Sequence, residues 1–495
     1  MREGGRRGSN VAAMSQNLGI LKSRRFLPLF VTQFLGAFND NLFKNAFIIL
    51  VTFSLAQAAG VNGQLMVTLA TGIFILPFFL FSATAGRLAD KFEKQRIIHV
   101  IKAAEVAIMV LAAFAFSLGS ITFLMIVLFL MGVHSTFFGP LKYGILPVHL
   151  RPEELLSGNA LIEAATFLAI LLGTIAGGVL IMADHGILAV SLLALAIAVG
   201  GLVASFFIPH APSAAPDLKI GFNIVSDSWR MVRHVAARRG IFLSILGISW
   251  FWLLGATFLA QFPAFAKNVL GGNDHVVTLF LTAFSIGIGI GSMLCNRLLK
   301  GVISVRYVPA AALAMTVFIL DLYFATRHLS AGDRALLDLS TFLARPLAWH
   351  VLIDLLLLSM ASGFFVVPLN TLIQARSEPN YRARIIAANN ILNALFMVVG
   401  AIIAAVLIKF GFSVPEIFLV FGILNLLAAL YSFRLLPESA VKELCAGFLR
   451  LLYRVELRGI ENYAAAGERV VIVANHVSFL DAVLIAFFLP GRSGR

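Results

Sequence analysis

The chain has 495 residues, of which 60% are hydrophobic and 13% charged, with a net charge of +14. Charged residues make up about a quarter of an average soluble chain, so this composition excludes a soluble globular protein. The basic residues cluster in alternate loops between apolar runs, so the charge reports membrane topology and not nucleic-acid binding. Cys295 and Cys445 cannot build a disulfide framework and read as free thiols. Residues 1–25 are basic and polar, and the first apolar run continues into a full span, so no cleavable signal peptide is expected.

About twelve segments are long enough to cross a ~30 Å hydrocarbon core. They fall near 26–56, 64–88, 97–117, 120–140, 155–182, 186–209, 241–269, 275–299, 306–326, 350–374, 383–409 and 414–436. One set of ends carries Arg24, Arg25, Arg87, Lys91, Lys94, Arg96, Lys142, Arg151, Arg230, Arg233, Arg238, Arg239, Arg297, Arg306, Arg376, Arg382 and Arg384. The opposite connections are nearly bare, except for the 327–349 loop with Arg327, Arg334 and Arg345. The bias places both termini in the cytoplasm. The Pro- and Ala-containing connection 210–240 divides a half at 26–209 from a half at 241–436, the layout of transporters built from two related halves.

The first span is interrupted by Gln33-Phe-Leu-Gly-Ala-Phe-Asn-Asp-Asn-Leu-Phe-Lys44, including Asn41. At 100° per residue, Gln33, Ala37, Asp40 and Lys44 fall on one helix face. An ionised Asp or Lys at mid-membrane costs roughly 3 kcal/mol, so the stripe requires a polar interior. Two readings follow: an ion pair that holds the fold, or a site for substrate or coupling ion.

Gly86-Arg-Leu-Ala-Asp-Lys-Phe-Glu-Lys-Gln-Arg96 joins the second and third spans. It resembles the signature loop of the major facilitator superfamily, although Glu93 stands where that family usually has Gly. A glycine lets helices approach, and Asp90 can receive helix-end amides or an Arg. Lys91 and Arg96 hold the basic surface, giving a gating latch between halves. The corresponding second-half turn, Gly291 to Arg297, lacks the acid.

Two further stretches are Phe137-Phe-Gly-Pro-Leu-Lys-Tyr-Gly-Ile-Leu-Pro147 and Asn159 to Gly178. With the first-span motif they resemble the bacterial lysophospholipid transporter family. The resemblance implies an inner-membrane facilitator that moves lysophospholipids, notably lysophosphatidylethanolamine, toward the cytoplasmic leaflet for reacylation. In the fifth span Asn159, Glu163, Thr166, Gly173 and Gly177 share a face, whose glycines suit close helix packing. Glu163 needs a partner, with Lys44 or Lys142 as candidates, although Lys142 could also snorkel to the membrane edge. We expect Asp40 to meet the ammonium of an ethanolamine head group and Lys142 or Lys44 its phosphate, with a Phe-rich wall for the acyl tail. Lys102 and Glu105 stand at i, i+3 and can pair with each other. His134, Asp321 and Asp354 are expected to stand singly in core or interface roles. Nothing calls for a cofactor or a metal ion.

After Pro437 the composition changes. Residues 437–454 form a basic amphipathic linker suited to a membrane surface, and residues 455–495 read as a short α/β fragment. Its Asn475-His-Val-Ser-Phe-Leu-Asp481 resembles the first motif of glycerolipid acyltransferases. The resemblance implies His476 as general base and Asp481 as the group orienting it. The motifs that follow in that family are absent, so an incomplete domain is expected. In fusions of this kind a transporter precedes acyltransferase and acyl-carrier-protein synthetase modules.

The expectation is an all-α membrane protein of twelve transmembrane helices in two six-helix halves, with a short α/β fragment at the C-terminus. It would act as a monomer on lysophospholipid among membrane lipids of the bacterial inner membrane. Efflux of drugs or other amphiphiles, and a membrane-bound lysophospholipid acyltransferase, stand as alternatives.

Overall fold

The computed structural model describes residues 19–55, 60, 63–219, 223–299, 302–332, 336–434, 446, 449–450, 452–453, 455 and 478–488. The first half contains α1 (Leu27–Leu50), α2 (Gly63–Lys91), α3 (Lys94–Leu118), α4 (Ile121–His149), α5 (Leu155–Ile181) and α6 (Gly186–Ser205). A short amphipathic helix, α7 (Ile224–Ala236), lies in the central connection. The second half contains α8 (Arg239–Ala264), α9 (Asp274–Leu299), α10 (Val308–Thr326), the one-turn α11 (Leu339–Leu343), α12 (Pro346–Arg376), α13 (Arg382–Lys409) and α14 (Val414–Phe433). Helix α15 (Asp481–Phe488) belongs to the tail. Among the described residues there is no strand, only an isolated bridge between Gly272 and Leu337.

Among the described residues, eleven helices are long and apolar enough to cross a membrane. Helix α1 has 24 residues, about 36 Å of helix, but its Gln33, Asn39, Asp40, Asn41, Lys44 and Asn45 keep it outside that set. The helix starts follow local chemistry. Pro28 opens α1, Ser120 Oγ accepts from Phe123 N at 3.3 Å at the start of α4, and Ser413 and Glu416 form a capping box on α14.

The Arg-rich ends gather at one end of the bundle. Arg25 donates to Glu154 at 3.1 and 3.2 Å and to His149 O at 3.1 Å, and Lys94 N donates to Ala211 O at 3.1 Å. At the other end Ala331 N donates to Asn268 O at 2.9 Å and Leu337 N to Gly271 O at 2.7 Å, both at the α8–α9 turn.

The hydrophobic core shows how the halves meet. Ala83, Leu156, Ala160 and Phe167 of the first half join the core of the second. A separate cluster around Leu42, Phe47, Phe116, Val127 and Val190, toward the end opposite the Arg-rich loops, is built wholly from the first half. The halves therefore share a core near the basic end and keep their own cores away from it.

Candidate functional site

The site is built on α1, which is held against α5 by backbone proximity. A Cβ at Gly173 would strike Phe38 O, and one at Gly177 would strike Leu42 O, so only glycine admits this approach. Gln33 belongs to the same seam. It is 1% exposed, donates to Ile162 O at 3.3 Å and accepts from Thr166 Oγ1 at 3.2 Å. Asn41 is also buried and donates to Ala37 O of its own helix at 2.8 Å. These contacts give Gln33 and Asn41 roles in α1 packing and helix geometry.

Asp40 and Lys44 are both half-buried, and no ion pair joins them. Asp40 Oδ2 instead accepts from Ser135 Oγ of α4 at 2.5 Å, and Lys44 Nζ lies 5.6 Å from the Phe74 ring centroid on α2. The one-turn ion pair of the sequence reading is thus replaced by contacts to two other helices. Each side chain rotates toward a neighbouring helix and leaves part of its surface open.

Glu163 is 2% exposed and accepts from Tyr143 Oη of α4 at 3.2 Å. The expected ion pair with Lys44 or Lys142 does not form within 4.0 Å. Tyr143 supplies the partner because it follows Lys142 on α4 and fills the space facing α5. Lys142 is half-buried and sits 4.8 Å from the Tyr143 ring. Asp40 and Lys44 on α1, Lys142 on α4 and Glu163 on α5 thus form a group of charged residues within the first half, each with its own neighbouring partner.

Behind this group lies a buried charge network that the sequence reading weighted too lightly. Lys102 Nζ bonds Glu105 Oε2 at 2.6 Å, as the i, i+3 spacing allows, with the two side chains 0% and 3% exposed. Asn39 Nδ2 donates to Glu105 Oε1 at 3.1 Å, and His134 Nε2 stands 3.2 Å from Glu105 Oε2. Lys102 also lies 5.0 Å from the Phe138 ring. His134, expected to stand alone, is a member of this network. Its neighbour Ser135 holds Asp40, so α4 connects the network to the half-open carboxylate. The signal in the sequence was the adjacency of Asn39 to Asp40 and of His134 to Ser135.

The basic end carries the contacts between halves. Asp90, fully buried, accepts from Ala383 N at 3.0 Å, Arg384 N at 3.3 Å and Arg384 Nε at 3.0 Å. Its carboxylate thus occupies the N-terminus of α13, where free amides and the helix dipole favour an anion. Gly86, one turn earlier, leaves only 2.7 Å from a built Cβ to the Ala387 Cβ. Arg87 pairs with Asp227 of α7 at 2.6 Å. Lys91 lies 5.7 Å from the Phe92 ring, and Arg96 pairs at 2.5 Å with Glu93, so both serve the loop itself. His234 of α7 stacks on Tyr381 at 4.0 Å between centroids. Burial and the nearby Arg238 push the His234 imidazole below its ordinary range, and burial pushes the Tyr381 phenol up.

Asn159 and Gln374 exchange hydrogen bonds of 2.9 and 2.7 Å across the halves. Phe167, midway along α5, meets Phe251, Trp252 and Phe284 at 6.2, 6.2 and 6.5 Å. Among the described residues, hydrogen bonds and ring contacts between the two bundles run from the basic end to Phe167 and stop there.

Two further sequence expectations change. Asp321 and Asp354, read as single residues, come together with His350. In the tail, His476 and Cys445 lie outside the described residues, as do most of 455–495. Asp481 opens α15 and accepts from Ser478 N at 2.7 Å. Cys295 is a buried free thiol.

Two helical halves, acids and amines buried between long apolar helices, and charged contacts that join the halves at one end fit a multi-pass membrane transporter. The profile described as Major Facilitator Superfamily matches residues 29–337, and the chain belongs to that superfamily. It is 31% identical over 392 residues to the lysophospholipid transporters LplT of Salmonella typhi and Salmonella typhimurium, covering 78% of this chain and 89% of theirs. The fold is similar to the human organic anion transporter MFSD10 (TETRAN), with TM-score 0.67 and 16% identity, covering 82% of this chain and 98% of that one. It is also similar to a bacterial homologue of the iron transporter ferroportin in an outward-facing state, with TM-score 0.59, 16% identity, and coverage of 81% and 97%.

Proposed function

We propose that the protein moves lysophospholipids across the bacterial inner membrane to the cytoplasmic leaflet by alternating access, supplying a reacylation pathway. The observation that carries this reading is the half-open group of Asp40, Lys44 and Lys142 on α1 and α4. A zwitterionic head group presents an ammonium and a phosphate, which an acid and an amine on neighbouring helices can receive separately. Asp40 is free to do so because Ser135, and not Lys44, is its partner in this state. Similarity to the LplT proteins supports the substrate class.

On this reading α1 is the twelfth span and the Arg-rich end is cytoplasmic, since Lys and Arg are retained on that side. The sealed end then faces the cytoplasm and the state is outward-facing. The Asn475–Asp481 motif supports an acyltransferase module beside the transporter, which would receive the lipid where it emerges.

The test is uptake of labelled lysophosphatidylethanolamine into spheroplasts, run beside a dye-efflux panel. Lysolipid uptake without dye export is expected. Dye export with no lysolipid movement would assign the protein to amphiphile efflux.

A further inference from the structure

At the end of the bundle away from the Arg-rich loops, α10 and α12 bring together three side chains that the transport site does not use. Asp321 lies in the last turns of α10. His350 and Asp354 stand at i, i+4 near the start of α12, on one helix face. His350 Nε2 is 3.0 Å from Asp321 Oδ2 and 3.5 Å from Asp354 Oδ2. One donor atom from each of the three residues lies within 4.8 Å of the other two.

The arrangement is unbalanced as it stands. Asp354 is 3% exposed, yet its Oδ2, aimed at the imidazole, accepts no hydrogen bond. Two carboxylates beside one imidazole crowd like charges together, and a buried carboxylate oxygen without a donor is costly. A cation at the centre of the three donors would remove both defects.

The distances match such an ion. Bonds of about 2.0–2.1 Å in a tetrahedral zinc site place neighbouring donors about 3.3 Å apart, and the two measured separations of 3.0 and 3.5 Å bracket that edge. One imidazole nitrogen with two carboxylate oxygens suits Zn²⁺, Co²⁺ or Mn²⁺, whereas Ca²⁺ and Mg²⁺ prefer oxygen alone. The side chains of Asp321 and His350 are each 47% exposed, which leaves a path for entry and room for water to complete the shell.

We propose that Asp321, His350 and Asp354 form a divalent transition-metal site of the Zn²⁺ class that bridges α10 and α12. The sequence reading expected no metal and took Asp321 and Asp354 as single residues. The ion would pin two helices of the second half to each other, at a place independent of Asp40 and Lys142.

The test uses the full chain, purified in detergent, freed of its affinity tag and treated with chelator. Zn²⁺ is titrated by calorimetry, and Co²⁺ by its visible ligand-field absorption. Wild type should bind one Zn²⁺ and give a Co²⁺ band whose intensity indicates low coordination number. His350→Gln, at a half-exposed position that tolerates change, should weaken Zn²⁺ binding at least about tenfold, and Asp354→Asn should do the same. Loss of metal binding in both variants, with metal-free melting temperature kept in His350→Gln, supports the site. Absence of Zn²⁺ and Co²⁺ binding by wild type, or equal binding by wild type and both variants, overturns it.

Discussion

Asp90 and Arg384 are 294 residues apart in sequence and meet at 3.0 Å, one on each half of the molecule. The carboxylate also takes the amides of Ala383 and Arg384, so a single side chain closes the first turn of α13 and joins the bundles. Asp90→Ala should release this end. With charge-assisted hydrogen bonds worth about 2 kcal/mol each, losing the latch should shift the ratio of closed to open states at this end by roughly 30-fold or more. Distances between spin labels on α2 and α13 would report it. An unchanged distance distribution would show that Gly86 packing and the Asn159–Gln374 pair are sufficient alone.

Lys102 and Glu105 should behave as a pair. Glu105→Gln leaves a buried ammonium without its counter-charge and should cost roughly 3–5 kcal/mol of stability. Replacing both residues by Met keeps volume and removes both charges, so most of that loss should be recovered. Thermal melting in detergent of Lys102→Met, Glu105→Met and the double variant forms the required cycle. Recovery of melting temperature without recovery of lysolipid uptake would give the pair a part in transport as well.

Two residues of the same α1 stripe should separate. Asp40→Asn should abolish lysolipid uptake while membrane expression and melting temperature stay close to wild type. Gln33→Leu instead removes the two hydrogen bonds that tie α1 to Ile162 and Thr166 of α5, although Ile162 O keeps the one from Thr166 Oγ1. It should lower stability by about 1–3 kcal/mol and reduce uptake only in proportion to folded protein. Uptake and melting measured on the same preparations distinguish the two effects.

Acid should loosen the stack of His234 on Tyr381. Burial and Arg238 disfavour the charged imidazole, so the folded state binds its proton less readily than the unfolded chain. The contribution of this group is therefore complete above the ordinary histidine value of 6.5 and is lost as pH falls below it toward the depressed folded value. His234→Phe keeps an aromatic ring and should flatten this part of the pH profile. Melting curves of wild type and variant between pH 8 and 5 test the sign.

Much of this could be read from residue order alone. The apolar spans, the Arg-rich end, the Gly86–Asp90 turn and the Gly173/Gly177 packing face all follow from composition or from neighbours on one helix. So does the Lys102–Glu105 pair, whose partners are one turn apart. The contacts that escaped reading cross between helices. Helical spacing offered Lys44 to Asp40, but the packing of α1 on α4 delivered Ser135 instead. Likewise Tyr143 displaced Lys142 at Glu163, and His134 joined an acid on α3. Such pairings depend on the relative rotation and sliding of packed helices, which small shifts of ridge and groove decide. The Asp321–His350–Asp354 group depends on the path of a long loop, and no periodicity carries that information.

The central connection touches both bundles at their sealed end. Ala214 N and Ala215 N donate to Asp90 O at 3.0 and 2.8 Å, Ser213 Oγ donates to Lys91 O at 2.6 Å, and α7 reaches Tyr381 through His234. A strap stitched to the α2 terminus at one side and resting on the α13 entrance at the other sets a maximum gap. Under alternating access such a strap should restrict how wide the Arg-rich face opens, and nicking it should widen that opening with every side chain intact.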